Sequence, residues 1–130
     1  MTTLGMLTIV VTDYDEAIRF YTQNLGFTLV EDTRMSDTKR WVVVAPDPNQ
    51  GARMLLAVAT SPSQHLAVGN QTGGRVGLFL YTQNFDETYQ NFLDNNVNFT
   101  EDPRLEEFGK VVVFSDLYGN LWDLIERPHI

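Results

Sequence analysis

The chain has 130 residues, a formal net charge of -8 at neutral pH and a hydrophobic content of 43%. This length and composition can bury one hydrophobic core, so we expect a single cooperative domain over residues 1–130. The excess of carboxylates would be repelled by phosphate backbones and anionic lipids, so we expect no nucleic acid and no membrane partner. The absence of cysteine excludes disulfides, thiolate nucleophiles and sulfur-ligated metal centres.

We expect no targeting signal at the start of the chain. Residues 1–13 lack the basic start and small-residue cleavage site of a secretory signal, and no apolar run approaches the ~20 residues of a membrane span. We therefore expect a cytoplasmic protein.

The first half of the sequence predicts one helix among four strands. Residues 6–12 are apolar and β-branched, which is typical of a buried strand. Asp13 and Glu16 then have capping-box spacing, and Gly26 is placed to end the helix. The helix has one apolar face, formed by Tyr14, Ala17, Ile18, Tyr21 and Leu25. Strand-like segments follow at residues 27–31, 40–45 and 54–59, so residues 1–60 predict a βαβββ module.

The second half repeats this order after a polar segment. Residues 61–74 are rich in Ser, Gln, Asn, Thr and Gly, which favours a linker or surface loop. Asn84 and Glu87 repeat the capping pair with an offset of about 71 residues. Strands are predicted at residues 75–81, 97–100, 110–114 and 121–126, with a tight turn at 116–120. Residues 75–130 thus form a second βαβββ module, and the fold class is α+β with two tandem modules.

Two segments carry a family resemblance that covers essentially the whole chain. Residues 11–21, followed by Leu25-Gly26-Phe27, resemble the opening signature of the vicinal oxygen chelate superfamily, which contains glyoxalase I, bleomycin resistance proteins and extradiol dioxygenases. Residues 116–124 resemble its closing signature. The resemblance implies paired modules that form a curved mixed sheet around a cavity, and it implies a homodimer.

The resemblance also locates the superfamily's divalent-metal positions. They lie on the first and last strands of each module and fall here on four residues: Met6, Leu55, Gly77 and Asp123. Only Asp123 can donate an oxygen ligand from its side chain, whereas a catalytic metal normally needs about three protein ligands. His65 lies in the predicted mid-chain loop and His129 is the penultimate residue. We therefore expect no metal cofactor.

Alternation along the predicted strands indicates which residues contact a ligand. If Gly77 faces the cavity, Arg75, Phe79 and Tyr81 lie on the same side. The guanidinium of Arg75 could hold an anionic group, although pairing with Asp123 or exposure to solvent is the alternative. Asp123 is also the candidate catalytic general base, but the sequence offers it no acid partner.

Three further residues are candidates for contact with a planar ligand. Arg40, Trp41 and Trp122 offer cationic and aromatic groups, but tryptophan on a strand is also typical of core or interface packing. The residues 118–120 are typical of turn chemistry and need no functional role.

Three functions remain compatible with these observations. The leading prediction is a metal-free protein that binds a small organic molecule in its cavity, as resistance proteins sequester a drug. The second is a metal-dependent lyase or dioxygenase that uses Asp123. The third is a regulatory or structural dimer whose cavity is filled by its own side chains. The fold alone does not assign a reaction.

Overall fold

The computed structural model describes residues 1–127 and divides into two compact units, Met1–Val68 and Gly69–Ile130. Each unit contains one mixed β-sheet with at least one helix, which confirms the α+β class and the two sheet modules. Within the described residues, no helix combines the length and apolarity needed to cross a membrane.

Unit 1 contains a four-stranded sheet in the order β1-β4-β3-β2. Strand β1 pairs with β4 in parallel, and the other neighbours are antiparallel. The elements in chain order are β1 (Met6–Val11), α1 (Tyr14–Arg19), a π-helical segment (Phe20–Asn24), β2 (Thr28–Arg34), β3 (Arg40–Ala45), β4 (Arg53–Val58) and α2 (Pro62–Ala67).

Helix α1 begins at the predicted cap, but it ends at Arg19, and a π-helical segment that the sequence did not predict continues it to Asn24. The backbone N–H of Glu16 donates to Asp13 Oδ2 at 2.8 Å, which confirms the N-cap. After the π-helical segment, Gly26 takes a φ of +74°, a left-handed conformation that glycine adopts without strain. The helix packs against β3 and β4, so the sheet face beneath it forms the core of unit 1, with Ile9, Val11, Val42, Val44 and Leu56 fully buried.

The polar segment at residues 61–74 contains a helix as well as a loop. The Ser61 hydroxyl accepts from the Gln64 backbone N–H at 3.2 Å, and Pro62 occupies the first helical turn. The Gln64 side chain accepts in turn from the Thr60 backbone N–H at 2.8 Å. These local bonds explain why α2 forms in a segment whose composition favours a loop.

Unit 2 contains a five-stranded sheet in which the order is β5-β9-β8-β6 and β7 also pairs with β8. Strands β5 and β9 are parallel, and the remaining pairs are antiparallel. The elements are β5 (Val76–Thr82), α3 (Phe85–Asp94), β6 (Asn98–Phe99), β7 (Arg104–Glu106), β8 (Gly109–Ser115) and β9 (Leu121–Glu126).

Helix α3 covers one face of the sheet of unit 2 with aromatic side chains. It begins at Asn84, whose Oδ1 accepts from the Glu87 N–H at 3.3 Å, so the second predicted cap is confirmed. Phe92 of α3 meets Phe114 edge-on at 5.4 Å between ring centroids, and Phe114 stacks on Trp122 at 5.7 Å. This stack forms the core of unit 2.

Candidate functional site

The two sheets present equivalent rows of residues across three strands. The row in unit 1 consists of Thr8, Leu55 and Val43, and the row in unit 2 consists of Phe79, Asp123 and Val113. Leu55 and Asp123, two of the superfamily metal positions, therefore occupy the same place in the two modules. Both rows lie on the sheet face opposite the core, because side chains alternate along each strand.

The Gly77 position is filled by a neighbouring side chain. A Cβ atom at Gly77 would lie 2.5 Å from Cγ2 of Thr72, which is closer than real contacts allow. The Thr72 hydroxyl donates to the Arg75 carbonyl at 2.5 Å and holds this turn over the strand. A residue with a metal-binding side chain would therefore displace Thr72.

The donor set does not fit the superfamily's divalent metal. Met6, Leu55 and Gly77 offer no hard donor, and no cluster of three or more His, Cys, Asp or Glu residues in the described part of the chain could hold an ion. His65 lies on α2. His129 lies outside the described residues.

Asp123 is a half-buried carboxylate with an unused acceptor. Among the described residues, no group donates a hydrogen bond to its buried Oδ1 atom. Burial raises the pKa of Asp123 above its ordinary value; the positive charge of Arg104 acts in the opposite direction, and the negative charge of Glu101 raises the pKa further.

Arg104 is held by two other acids. Its Nε lies 3.0 Å from Oε2 of Glu101, and its Nη1 lies 2.7 Å from Oε1 of Glu106. Glu101 Oε2 also accepts from the Val113 backbone N–H at 3.0 Å. Within the described residues, Arg104 pairs with these two carboxylates and makes no ion pair with Asp123.

Two aromatic rings are exposed on the Asp123 side of the sheet. Phe79 is 56% exposed and Tyr81 is 44% exposed, and they pair in register with Asp123 and Ile125 of β9. The guanidinium of Arg127 lies 4.6 Å from the centre of the Tyr81 ring. Phe79 makes no ring contact within the described part of unit 2.

The other two candidates in unit 2 lie elsewhere. Trp122 is only 2% exposed and belongs to the core stack on the opposite face, so it cannot reach a ligand beside Asp123. Arg75 is exposed and precedes β5. The pairing of β5 shifts register between Val76 and Leu78, which interrupts the alternation used to place Arg75 beside Phe79. The described residues show no ion pair between Arg75 and Asp123.

Unit 1 contains a cavity of about 570 Å³ where β4 ends and β3 begins. Its apolar lining residues include Trp41, Leu55 and Ala57. The remaining lining residues are Tyr14, Ser36, Thr38, Lys39, Arg40, Leu56, Val58 and Thr60. Trp41 was singled out by the sequence, whereas the hydroxyl residues were not, because the sequence does not reveal which turns meet at the end of a sheet.

Arg40 is committed to a structural clamp. Its Nε and Nη2 donate to the two oxygens of Asp32 at 3.1 and 2.7 Å, and its Nη1 donates to Asp15 at 2.9 Å. Its guanidinium also lies 5.1 Å from the centre of the Tyr14 ring. The hydrogen bonds to Arg40 lower the pKa of Asp32 and those to Asp32 and Asp15 raise the pKa of Arg40. Arg40 thus joins α1, β2 and β3, and all three of its guanidinium nitrogens already donate to carboxylates.

The fold and the paired signatures define the class of the protein. The model of the Glyoxalase/Bleomycin resistance protein/Dioxygenase superfamily matches residues 3–124, so the chain belongs to this superfamily.

The chain is also similar to individual proteins over nearly its whole length. A protein of Shewanella frigidimarina (strain NCIMB 400) is 49% identical over 121 residues, which cover 92% of this chain and 90% of that protein. The crystal structure of UcmS2 has a TM-score of 0.82 at 28% identity and covers 95% of this chain and 97% of its own. TnmS3 of Streptomyces sp. CB03234, an antibiotic binding protein, has a TM-score of 0.76, with 97% of this chain and 96% of TnmS3 covered. At 24% identity, this last likeness shows the fold.

Proposed function

We propose that this protein binds a small organic molecule in the cavity of unit 1 and does so without a divalent metal. The observation that carries the proposal is the cavity of about 570 Å³ beside Trp41. Pockets for drug-sized ligands are typically ~300–1,000 Å³ and combine an apolar surface with a few polar groups.

The lining suits a ligand with a flat apolar body and a polar edge. The indole of Trp41, with Leu55 and Ala57, offers surface for a ring. The hydroxyls of Ser36 and Thr38 can orient a polar edge. Arg40 is neutralised by Asp15 and Asp32, so Lys39, which has no ion-pair partner within the described residues, is the cation left for an acidic group.

The donor chemistry supports the metal-free part of the proposal. Three of the four superfamily metal positions carry side chains that cannot bind a hard divalent ion, and Thr72 fills the space at Gly77. Binding therefore depends on packing and hydrogen bonds. The antibiotic-binding neighbour TnmS3 supports an organic ligand as one use of this fold. Family resemblance supports a homodimer as the assembled form.

The test uses the two tryptophans of the chain as separate reporters. In Trp122→Phe, the remaining indole lies in the cavity wall, whereas in Trp41→Phe it lies in the core of unit 2. A chemically broad library is screened by fluorescence in both variants, with and without EDTA. We expect some compounds to bind saturably and to change the fluorescence of Trp122→Phe but not that of Trp41→Phe. EDTA should not alter their binding.

Two outcomes would contradict the proposal. If no compound changes the Trp41 signal, the regulatory or structural dimer becomes the better explanation. If the ligand is converted to product, and conversion stops with EDTA and in Asp123→Ala, the metal-dependent lyase or dioxygenase replaces the binding protein.

A further inference from the structure

Unit 2 has a surface groove of about 460 Å³ where helix α3 meets β6. Helix α3 contributes Tyr89 and Leu93, the next two lining residues are Val97 and Phe99, and residues 100–102 complete the lining. We call this feature the α3–β6 groove. It shares no residue with the cavity of unit 1 and includes none of the four superfamily metal positions. Its binding chemistry is therefore separate from that of the cavity.

The apolar wall of the groove is continuous with the core of unit 2. The ring of Tyr89 packs on that of Phe99 with 4.7 Å between their centroids, and Phe99 lies 6.1 Å from the buried ring of Phe114. Leu93 lines the same groove and is 41% exposed. Because rings that are held by the core have little freedom to lose on binding, the wall is a preorganised apolar surface for a ligand.

The charge in the lining of the groove is negative. Glu101 is neutralised by Arg104, whose Nε lies 3.0 Å from Oε2 of Glu101. Asp102 is exposed and makes no hydrogen bond or ion pair with any described residue. Among the described residues, no Lys, Arg or His lines the groove. The carboxylate of Asp102 therefore gives the groove an uncompensated negative charge that a ligand can reach.

We propose that the α3–β6 groove binds an amphiphilic organic cation, whose apolar body packs on Tyr89 and Leu93 and whose ammonium group pairs with the exposed carboxylate of Asp102. Charge complementarity selects this class of ligand. The apolar wall favours a hydrophobic body, and the unpaired carboxylate favours a positive end over a neutral or negative one. The net charge of -8 on the whole chain adds the same preference at longer range.

The experiment compares two probes that share one apolar body and differ in charge, 2-naphthylmethylammonium and 2-naphthylmethanol. Each is titrated into the isotope-labelled full chain at neutral pH, and the amide signals in the NMR spectrum give both the site and the dissociation constant. We expect the cation to shift the signals of residues 97–102 saturably. The alcohol should bind there ~3-fold more weakly, which is the size of effect expected of an exposed ion pair.

Matched variants separate the groove from general effects. Asp102→Asn should abolish the preference for the cation over the alcohol, whereas Glu107→Gln, at an exposed carboxylate outside the groove, should retain it. Leu93→Ala should weaken both probes ~3-fold, because apolar surface is lost from the wall. Leu105→Ala, at a leucine that is 80% exposed and outside the groove, should leave both affinities unchanged. The amide spectrum of each free variant verifies that the fold is retained.

The proposal is wrong if the cation shifts no signal of residues 97–102, or if the two probes bind there with equal affinity. It is also wrong if Glu107→Gln abolishes the preference as fully as Asp102→Asn, because net charge alone would then explain it. If the same signals shift when the free protein is diluted and do not respond to the cation, the groove is an interface between two copies of the chain and the ligand proposal is overturned. Binding in the cavity of unit 1 is read separately from the indole signal of Trp41.

Discussion

At the scale of single residues, Asp123 stands out because its burial favours the protonated acid. The pKa of its carboxyl group is raised above the ordinary value of 3.8, chiefly by desolvation. When the folded-state pKa is the higher one, the unfolded chain releases its proton first as the pH rises. The contribution of Asp123 to stability is therefore most favourable below pH 3.8 and is lost as the pH rises through the folded-state pKa.

The raised pKa of Asp123 gives a first prediction, which concerns the variant Asp123→Asn. At pH 7 the variant should be more stable than the wild type by about 1 kcal/mol, because it no longer buries an unsatisfied charged oxygen. Urea unfolding measured between pH 3 and 8 should show this gain shrinking toward acidic pH. Asp102→Asn removes the same charge at an exposed position and should not reproduce the pH-dependent gain. Equal profiles for the two variants would contradict the assignment.

At the scale of elements, the turn between β8 and β9 depends on one buried carboxylate. Oδ1 of Asp116 accepts from the backbone N–H groups of Tyr118, Gly119 and Asn120 at 2.9–3.0 Å. Its Oδ2 accepts from the Asn120 side chain at 2.7 Å. The residues that the sequence marks as turn chemistry are thus organised by the acid that precedes them.

The second prediction follows from this network. Asp116→Ala should lower the free energy of unfolding by about 2–4 kcal/mol, because several buried donors lose their acceptor. Asp116→Asn keeps one acceptor oxygen and should cost about half as much. Urea unfolding of the two variants gives both values. Asp37→Ala, which removes an exposed carboxylate paired with Arg34, should change stability by less than about 0.5 kcal/mol. If Asp116→Ala also lowers the free energy of unfolding by less than about 0.5 kcal/mol, the network does not stabilise the fold.

The third prediction concerns the Arg40 clamp between α1, β2 and β3. The lowered pKa of Asp32 means that this pair stabilises the fold above pH 3.8 and that the contribution is lost as the pH falls through the folded-state pKa. Arg40→Met should reduce stability by about 1 kcal/mol at pH 7 and flatten this acid dependence. Arg34→Met breaks a more exposed pair and serves as the control in the same urea titrations. If the stability of Arg40→Met still falls at acidic pH as much as that of the wild type, the clamp is contradicted.

Elements fixed by local bonds could be predicted from the sequence, and those fixed by distant contacts could not. The caps at Asp13 and Asn84 were predicted because the capping side chain and the backbone N–H group that donates to it are three residues apart. Strand β7 was not, since its three exposed residues have no apolar pattern and pair only with β8. The π-helical segment after α1 was also missed, because it has no sequence signal of its own.

The same division holds for the candidate site. Strand alternation placed Phe79 and Tyr81 beside each other, but it could not foresee the register shift near Gly77 or the Thr72 side chain over it. Arg40 was proposed as a ligand contact because it offers a cationic group. The sequence could not show that this group is occupied, since its partner Asp15, 25 residues away, is brought close only by folding. Such contacts depend on tertiary structure and leave no periodic pattern.

At the scale of the whole molecule, membership of the superfamily sets an expectation of metal chemistry that the side chains of this chain do not meet. Paired modules place equivalent positions on both sheets, and Leu55 and Asp123 occupy the same place in their rows. One module has therefore an apolar residue where the other has a carboxylate. This difference between the modules leaves unit 1 without a side-chain donor at a position where a bound ion would need one.

The fourth prediction tests this directly. Protein purified without a chelator or metal-affinity tag, then incubated with Mn, Fe, Ni or Zn and desalted, should retain far less than one ion per chain by elemental analysis. A tightly bound ion at 100 times its dissociation constant would stabilise the fold by about 2.7 kcal/mol, so EDTA should also leave the melting temperature unchanged. Asp123→Ala is the matched control and should give the same metal content. If the wild type retained one ion that Asp123→Ala lost, additional ligands would have to come from outside the four superfamily positions, and the metalloenzyme would become the better description.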